Sequence, residues 1–285
     1  MRAVGAAEDD DPDESGSVFD RARDAVVERA LHLSVVMPAN GFFSHVTAAI
    51  LWGLWLPVPL VRDHGAFDVA VCAPARHPRR DGVRGHQTPL RFVKTVTHPV
   101  FGVRLADPST TWAQLAAVLR DPYDLVAAGD AAIREQMFKD DPPALATMTQ
   151  LTDAVAVGRR AGVNALRAAL PQVRSRSASR PETRCRLLIV DAGMPEPELN
   201  WTVNDEYGSF VACVDLAYPA LKIAIEYEGE HHLKDPAQWA KDIERYERLA
   251  RLGWHVVRVT KAALFGDPQS VVRRVRSAVA ERAAR

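Results

Sequence analysis

The run KIAIEYEGEHH, Lys222 to His232, leads into an amphipathic stretch, Asp235 to Leu252, and then into WHVVRVT, Trp254 to Thr260. This strand, helix, strand order constrains the chain more than any other feature. A helix that crosses from one strand to the next most simply makes the two strands parallel neighbours. In the intervening stretch Trp239, Ile243, Tyr246, Leu249 and Leu252 recur at spacings of three and four, which predicts one buried stripe on a helix. On the first strand Ile223, Ile225 and Tyr227 share one face, and Ala224, Glu226 and Glu228 share the other. Both carboxylates therefore point the same way.

Ser209 to Tyr218 alternates as a preceding strand, joined to the next through a Tyr-Pro-Ala turn, and a tight hairpin brings Asp215 beside Glu226 or Glu228. Three acids on a mostly apolar sheet repel one another and lose hydration, which raises their pKa unless a cation compensates. A hard, oxygen-seeking ion such as Mg²⁺ (or Mn²⁺) is the expected cation. A helix over Pro181 to Ala192 comes before these strands, and one starting near Asp267 and carrying Val271, Val272, Val275 and Val279 comes after. The predicted order is α-β-β-α-β-α, an α/β core.

An acid on a first helix, an Asp at the end of a strand and an E-x-K variant on the adjoining strand resemble the signature of the PD-(D/E)xK nuclease superfamily. Glu182, Asp215 and Glu226-Tyr-Glu228 stand in those places. EYEGEHH with the following helix and RLGWHVVRVT is most similar to the Vsr-like branch of that superfamily, over roughly Ser179 to Ala278. The resemblance implies a restriction-endonuclease-like fold and Mg²⁺-dependent phosphodiester hydrolysis, with Asp215, Glu226 and Glu228 as metal ligands and Glu182 as an auxiliary acid. The usual Lys is replaced by Glu228. Vsr-type nucleases also lack it and use histidines near the strand end, which makes His231 and His232 the expected general base or phosphate ligand, ahead of Lys222, Lys241 and Arg245 as substitutes. Glu182 has a second reading, because Ser179-x-x-Glu182 is also a capping box.

The earlier part of the chain predicts a mixed α+β domain over residues 18–172, behind a disordered acidic tail (1–17) and ahead of the nuclease-like domain (173–285), with QVRSRSASRPE, Gln172 to Glu182, as the linker. Helices fit Phe19 to Leu33, Ser44 to Gly53 (Ser44 as N-cap, Gly53 as stop), a stretch capped by Ser109 or Thr110, and Leu145 to Leu170. FDVAVCAP and Val100 to Leu105 read as strands. In ARHPRRDGVRGH, Arg76, Arg79, Arg80 and Arg84 sit among Pro and Gly in a loop or hairpin arm that could meet phosphates, as could Lys241 and Arg245 on the later helix. FSHVTAAILWGLWLP, this arm and TTWAQLAAVL resemble, more loosely, AbiEi-type antitoxin and regulator proteins, which implies a DNA or protein partner for this half.

Formal net charge is zero, so attraction to DNA must come from such local patches. Three widely spaced cysteines give neither a disulfide framework nor a zinc pair, no apolar run is long enough to cross a bilayer, and no secretory signal precedes the fold, so a cytoplasmic protein with no membrane contact and no small-molecule cofactor is expected. Two function classes remain: a Mg²⁺-dependent DNA endonuclease or nickase, and a non-catalytic DNA-binding or antitoxin-like regulator on a nuclease scaffold.

Overall fold

The computed structural model describes residues 16–139, 141–228 and 236–284. The acidic segment of residues 1–15 lies outside these, but Gly16 and Ser17, expected in the tail, already belong to helix α1 (Gly16–Ser34). The first half builds a five-stranded sheet from β1 (Phe42–Phe43), β2 (Phe67–Cys72), β3 (Val83–Thr88), β4 (Thr95–Thr97) and β5 (Arg104–Ala106), in the order β3-β2-β1-β5-β4. Helices α2 (His45–Trp52), α3 (Val58–Arg62), α4 (Pro108–Leu115), α5 (Pro122–Ile133), α6 (Met148–Ala156) and α7 (Val163–Ala169) accompany it. Its core gathers Phe43, Leu51, Val69, Leu105, Trp112 and Leu125, all buried.

Gly53 ends α2 in the left-handed conformation (φ 69°), as its position in the sequence requires. Ser44 precedes α2 but makes no side-chain cap; its Oγ lies 3.0 Å from His45 Nδ1 instead. The cap of α4 is Asp107, whose carboxylate accepts from the Thr110 N–H at 2.7 Å, in place of the expected Ser109 or Thr110. The predicted long helix over Leu145 to Leu170 is two helices, broken where Gly158 and Gly162 take positive φ. The strand expected over Val100 to Leu105 is shorter, because Gly102 turns the chain ahead of Arg104.

The arginine arm is not a hairpin. β2 and β3 pair in parallel, Phe67 opposite Val83 through Cys72 opposite Thr88, so the segment between them runs back along the sheet. It packs closely enough on β3 that a Cβ at Gly85 would collide with the Pro78 carbonyl oxygen.

The second half is a three-layer unit. Its sheet has the order β6-β7-β8-β9, built from β6 (Glu198–Asn204), β7 (Phe210–Tyr218), β8 (Ile223–Glu228) and β9 (His255–Thr260). Helices α8 (Arg180–Asp191) and α10 (Pro268–Ala283) cover one face, where Cys185, Ile189, Val271 and Val275 meet Leu216, Ile223, Ile225, Val257 and Val259. Helix α9 (Pro236–Arg251) covers the other, with Leu249 against Ala217 and Ala224. β8 and β9 are parallel, as a crossover helix demands. The observed order is α-β-β-β-α-β-α. The added strand is β6, an edge strand in which Asn200 and Val203 are the buried residues.

The two sheets are joined by helix packing. α8 lies along α5, with Arg184–Asp121 at 2.7 Å, Arg180–Asp124 at 2.8 Å, Arg186–Asp130 at 3.2 Å and a Tyr123 hydroxyl donating to Asp191 at 2.6 Å. The polar stretch expected as a linker is part of this packing: Val173 and Ser177 are buried, and the Arg174 N–H donates to Asp130 at 2.7 Å. Among the described residues no helix is long and apolar enough to cross a membrane.

Candidate active site on the C-terminal sheet

β7 and β8 pair from Tyr218↔Ile223 to Leu216↔Ile225 and then separate. The separation frees the Tyr227 N–H, and an unpaired N–H needs an acceptor. Asp215 supplies it: its Oδ2 accepts from Tyr227 N at 2.8 Å, at the backbone between Glu226 and Glu228. The neighbouring ladder breaks at the same level. β6 pairs with β7 through Leu199↔Leu216 and again from Trp201↔Val214, passing over Asn200, whose φ is 45°. On one side of the break Leu199 and Leu216 pack toward α8 and α10; on the other, Val203, Ala212 and Val214 join the cluster beneath α9. The β6–β7 ribbon thus turns over at Asn200, and the turn brings Asp215 to β8.

Ser179 caps α8, and Glu182 closes a variant of the capping box that reaches the Ala178 N–H in place of the Ser179 N–H. The Glu182 N–H donates to Ser179 Oγ at 3.3 Å, and its carboxylate accepts from Ser179 Oγ at 3.0 Å, the Ala178 N–H at 2.9 Å and Asn200 Nδ2 at 3.0 Å. It also shares surroundings with the strand acids. Burial, then the charges of Asp215 and Glu182 with a smaller part from Glu226, push the Cys213 thiol up to about 11. The fields of three predicted acids therefore overlap at Cys213.

The two glutamates are compensated by side chains. Glu226 is 4% exposed and takes a bidentate fork from Arg245, at 2.8 Å to Oε1 and 2.6 Å to Oε2. Burial pushes its carboxyl up, while Arg245 pulls it down. Glu228 pairs with Arg258 on β9 and accepts from the Tyr246 hydroxyl at 3.0 Å. Arg245 and Arg258 also lie over the Tyr246 ring, 4.7 and 5.4 Å from its centroid. Guanidinium groups thus supply positive charge on the face where a divalent cation was expected. Among the described residues no set of three or more His, Cys, Asp and Glu side chains is arranged to hold a metal ion.

His231, His232 and the side chain of Lys241 lie outside the described residues. Lys222 is not a member of the site; at the far end of β8 its Nζ donates to the Leu252 carbonyl at 3.0 Å. Sequence reading missed Asn200, Tyr246 in its polar role and Arg258. Arg258 was within reach of it, because β9 alternation sets it on the face opposite Val257 and Val259, in register with Glu226.

Arg76, Arg79 and Arg80 are exposed and make no side-chain hydrogen bond or ion pair with any described residue. Arg84 is separate from them. Strand alternation points it away from the face on which Pro78 covers Gly85, and it lies 3.4 Å from Asp68. Asp68 is 1% exposed and accepts from His86 Nε2 at 2.8 Å, with His45 stacked on His86 at 4.0 Å. Burial works to raise Asp68, but the His86 hydrogen bond and the neighbouring His45, His86 and Arg84 hold it below the ordinary range. Burial, then His86, push His45 down to about 4.

Residues 197–279 match the family REase_MTES_1575, a restriction-endonuclease-like family, and the match spans all four strands of this sheet. The C-terminal unit is therefore restriction-endonuclease-like. Over 210 residues the chain is 30% identical to two proteins of Mycobacterium tuberculosis, "Uncharacterized protein MT2308" of strain CDC 1551 / Oshkosh and "Uncharacterized protein Rv2248" of strain H37Rv, covering 70% of this chain and 72% of each of theirs. No solved structure gives a significant match.

Proposed function

The chain belongs to one family with the two mycobacterial proteins, and from that premise we propose that its C-terminal sheet is the active site of a metal-dependent DNA endonuclease or nickase. The observation that carries the reading is the Asp215 carboxylate seated on the Tyr227 N–H, between Glu226 and Glu228, inside the segment matched by a restriction-endonuclease-like family.

The donor types fit a hard divalent ion, since Asp215, Glu226 and Glu228 offer carboxylate oxygen. When bound, Mg²⁺ or Mn²⁺ would supply charge to the phosphate and acidity to water. The oxygens of Glu226 and Glu228 are already engaged by Arg245, Arg258 and Tyr246, so ion and guanidinium compete for them. Arg245, on the same face, would offer a planar guanidinium to a phosphate, a cationic role that Glu228 cannot take in the position of the superfamily's lysine. Glu182 fixes the start of α8 and, through Asn200, the turn that carries Asp215. His231 or His232 is the proposed base, and Lys241 with the Arg76, Arg79 and Arg80 arm the proposed DNA contacts. Kinship to the Vsr-like branch, and an AbiEi-like regulatory or protein-binding role for the first half, belong to the same proposal.

The second reading, a DNA-binding scaffold without catalysis, is favoured by the same ion pairs, because Arg245 and Arg258 complete the acidic face without a metal. Purified protein on supercoiled, linear and mismatched DNA, with Mg²⁺, Mn²⁺ or EDTA, separates the two. Cleavage is expected to need the divalent ion and to vanish in Asp215→Ala while the circular dichroism spectrum persists. Equal cutting by wild type and variant would overturn the nuclease reading, and DNA binding without cutting would establish the scaffold.

A further inference from the structure

A cavity of about 570 Å³ opens in the N-terminal unit, between the end of α2 and the segments that precede β5 and follow α5. Sites for small molecules run from about 300 to 1,000 Å³. One wall is aromatic. His98 stands 4.7 Å from the Trp52 ring and 4.4 Å from the Phe101 ring, the latter nearly parallel at 22°. The wall is fixed in place: Trp52 Nε1 donates to the Ala106 carbonyl at 2.9 Å, and His98 Nδ1 accepts from the Val100 and Phe101 N–H groups at 3.2 Å each. Trp55 also lines the space, and Val100 stands 79% exposed beside it.

The polar lining is out of balance. Arg23 projects from α1 across Gly53, makes no side-chain hydrogen bond or ion pair with any described residue, and its Nε is buried without an acceptor. Arg134 pairs with Asp141 at 3.0 Å, yet its Nε is also buried and unanswered. Of these two guanidinium groups only Arg134 pairs with a carboxylate among the described residues. Leaving a buried donor unpaired costs free energy, and a guanidinium is planar and suited to a phosphate or carboxylate fork. A flat ring system matches the wall, and an anion matches Arg23.

We propose that this cavity is a nucleotide site, which takes a nucleobase against Trp52, His98 and Phe101 and its phosphate on Arg23. The occupant is either a free nucleoside monophosphate or the 5′-phosphorylated end of a strand. This site is independent of the C-terminal acids, and it is read by binding, with no metal and no cleavage.

The test uses the full chain, titrated with thymidine and guanosine 5′-monophosphates, with the corresponding nucleosides, and with a thymidine dinucleotide with and without its 5′-phosphate. Tryptophan fluorescence and melting temperature are followed together. Monophosphates are expected to bind about tenfold or more tightly than nucleosides, the worth of one charge-assisted contact. Arg23→Gln is expected to erase that difference and leave nucleoside affinity unchanged, with Arg23→Lys between the two. Binding by the phosphorylated dinucleotide alone would assign the site to strand ends; binding by both forms would assign it to mononucleotides in general. Equal affinity for nucleoside and monophosphate in the wild type, an unchanged preference in Arg23→Gln, or no binding by any probe would each overturn the proposal. The first of these comparisons needs no variant, so a folding defect in Arg23→Gln leaves the test intact.

Discussion

Glu226 is almost wholly removed from water, and both of its oxygens are held by one guanidinium. Deleting one partner of such a pair strands the other, at about 3–5 kcal/mol when both are deeply buried. Arg245 is about a quarter exposed (26%), so Arg245→Gln is expected to cost about 2–3 kcal/mol in urea unfolding. Glu226→Gln with Arg245→Gln should cost less than the two single changes summed, because neither charge is then left alone; strict additivity would show that the pair carries no coupling. His45 makes a prediction of a different kind. Its folded-state pKa, about 4, lies below the ordinary histidine value, so the neutral form is favoured in the fold. The stability this contributes is complete above pH ~6.5 and is lost as pH falls toward ~4, where unfolding takes up a proton. His86, Asp68 and Arg84 face the same ring, and Asp68, held low, loses stability in acid too. His45→Asn keeps a side chain that tolerates the left-handed backbone at φ 46° and removes the titration. The slope of stability against pH between about 4 and 6.5 should then fall by about one proton. An unchanged slope would assign the acid sensitivity elsewhere.

Among the elements, those stabilised by their own local pattern were legible in the sequence and those stabilised by neighbours were not. α2 was readable from Gly53, and the β8–α9–β9 unit from its change of period. In α9 the expected stripe holds at Leu249, Tyr246 and Leu252, but Ile243 is 39% exposed. β6 escaped because an edge strand with Trp201 and Thr202 in solvent and Asn200 out of regular backbone shows no alternation. The parallel β2–β3 pairing escaped because no helix marks the crossing. The acids of the site were legible by alternation, whereas their pairing with Arg245 and Arg258 was not, since it depends on how α9 and β9 approach β8. The α5–α8 contact is likewise tertiary. Asp130 there is fully buried, and burial pushes it up against Arg186 and the donors Arg174 and Thr183. Arg186→Leu is expected to destabilise the chain by about 3 kcal/mol, read as a lower urea midpoint, because it leaves that carboxylate without its cation. A change below about 1 kcal/mol would mean that Asp130 takes up a proton instead and needs no partner.

For the molecule as a whole, zero formal charge means that any DNA affinity is local, and Arg76, Arg79 and Arg80 form an exposed cationic run that makes no side-chain ion pair with any described residue. Replacing Arg76, Arg79 and Arg80 together with Gln should flatten the salt dependence of DNA binding by a slope of roughly 0.9 per lost phosphate contact. Arg84→Gln should leave the slope alone and loosen Asp68 instead. If all four replacements lower the slope equally, Arg84 leaves Asp68 on binding. The docking of α8 on α5 has a bearing on modularity. The segment that matches the restriction-endonuclease-like family begins at Pro197, after α8 has ended, so a fragment cut there discards Cys185 and Ile189 from its own hydrophobic interior. Cutting before Arg180 restores them, but it also separates Arg180, Arg184 and Arg186 from the carboxylates of Asp124, Asp121 and Asp130, which remain with the other piece. Each half would carry away the counter-ions of the other, and what evolution can exchange as a unit in this architecture is therefore the pair of sheets together.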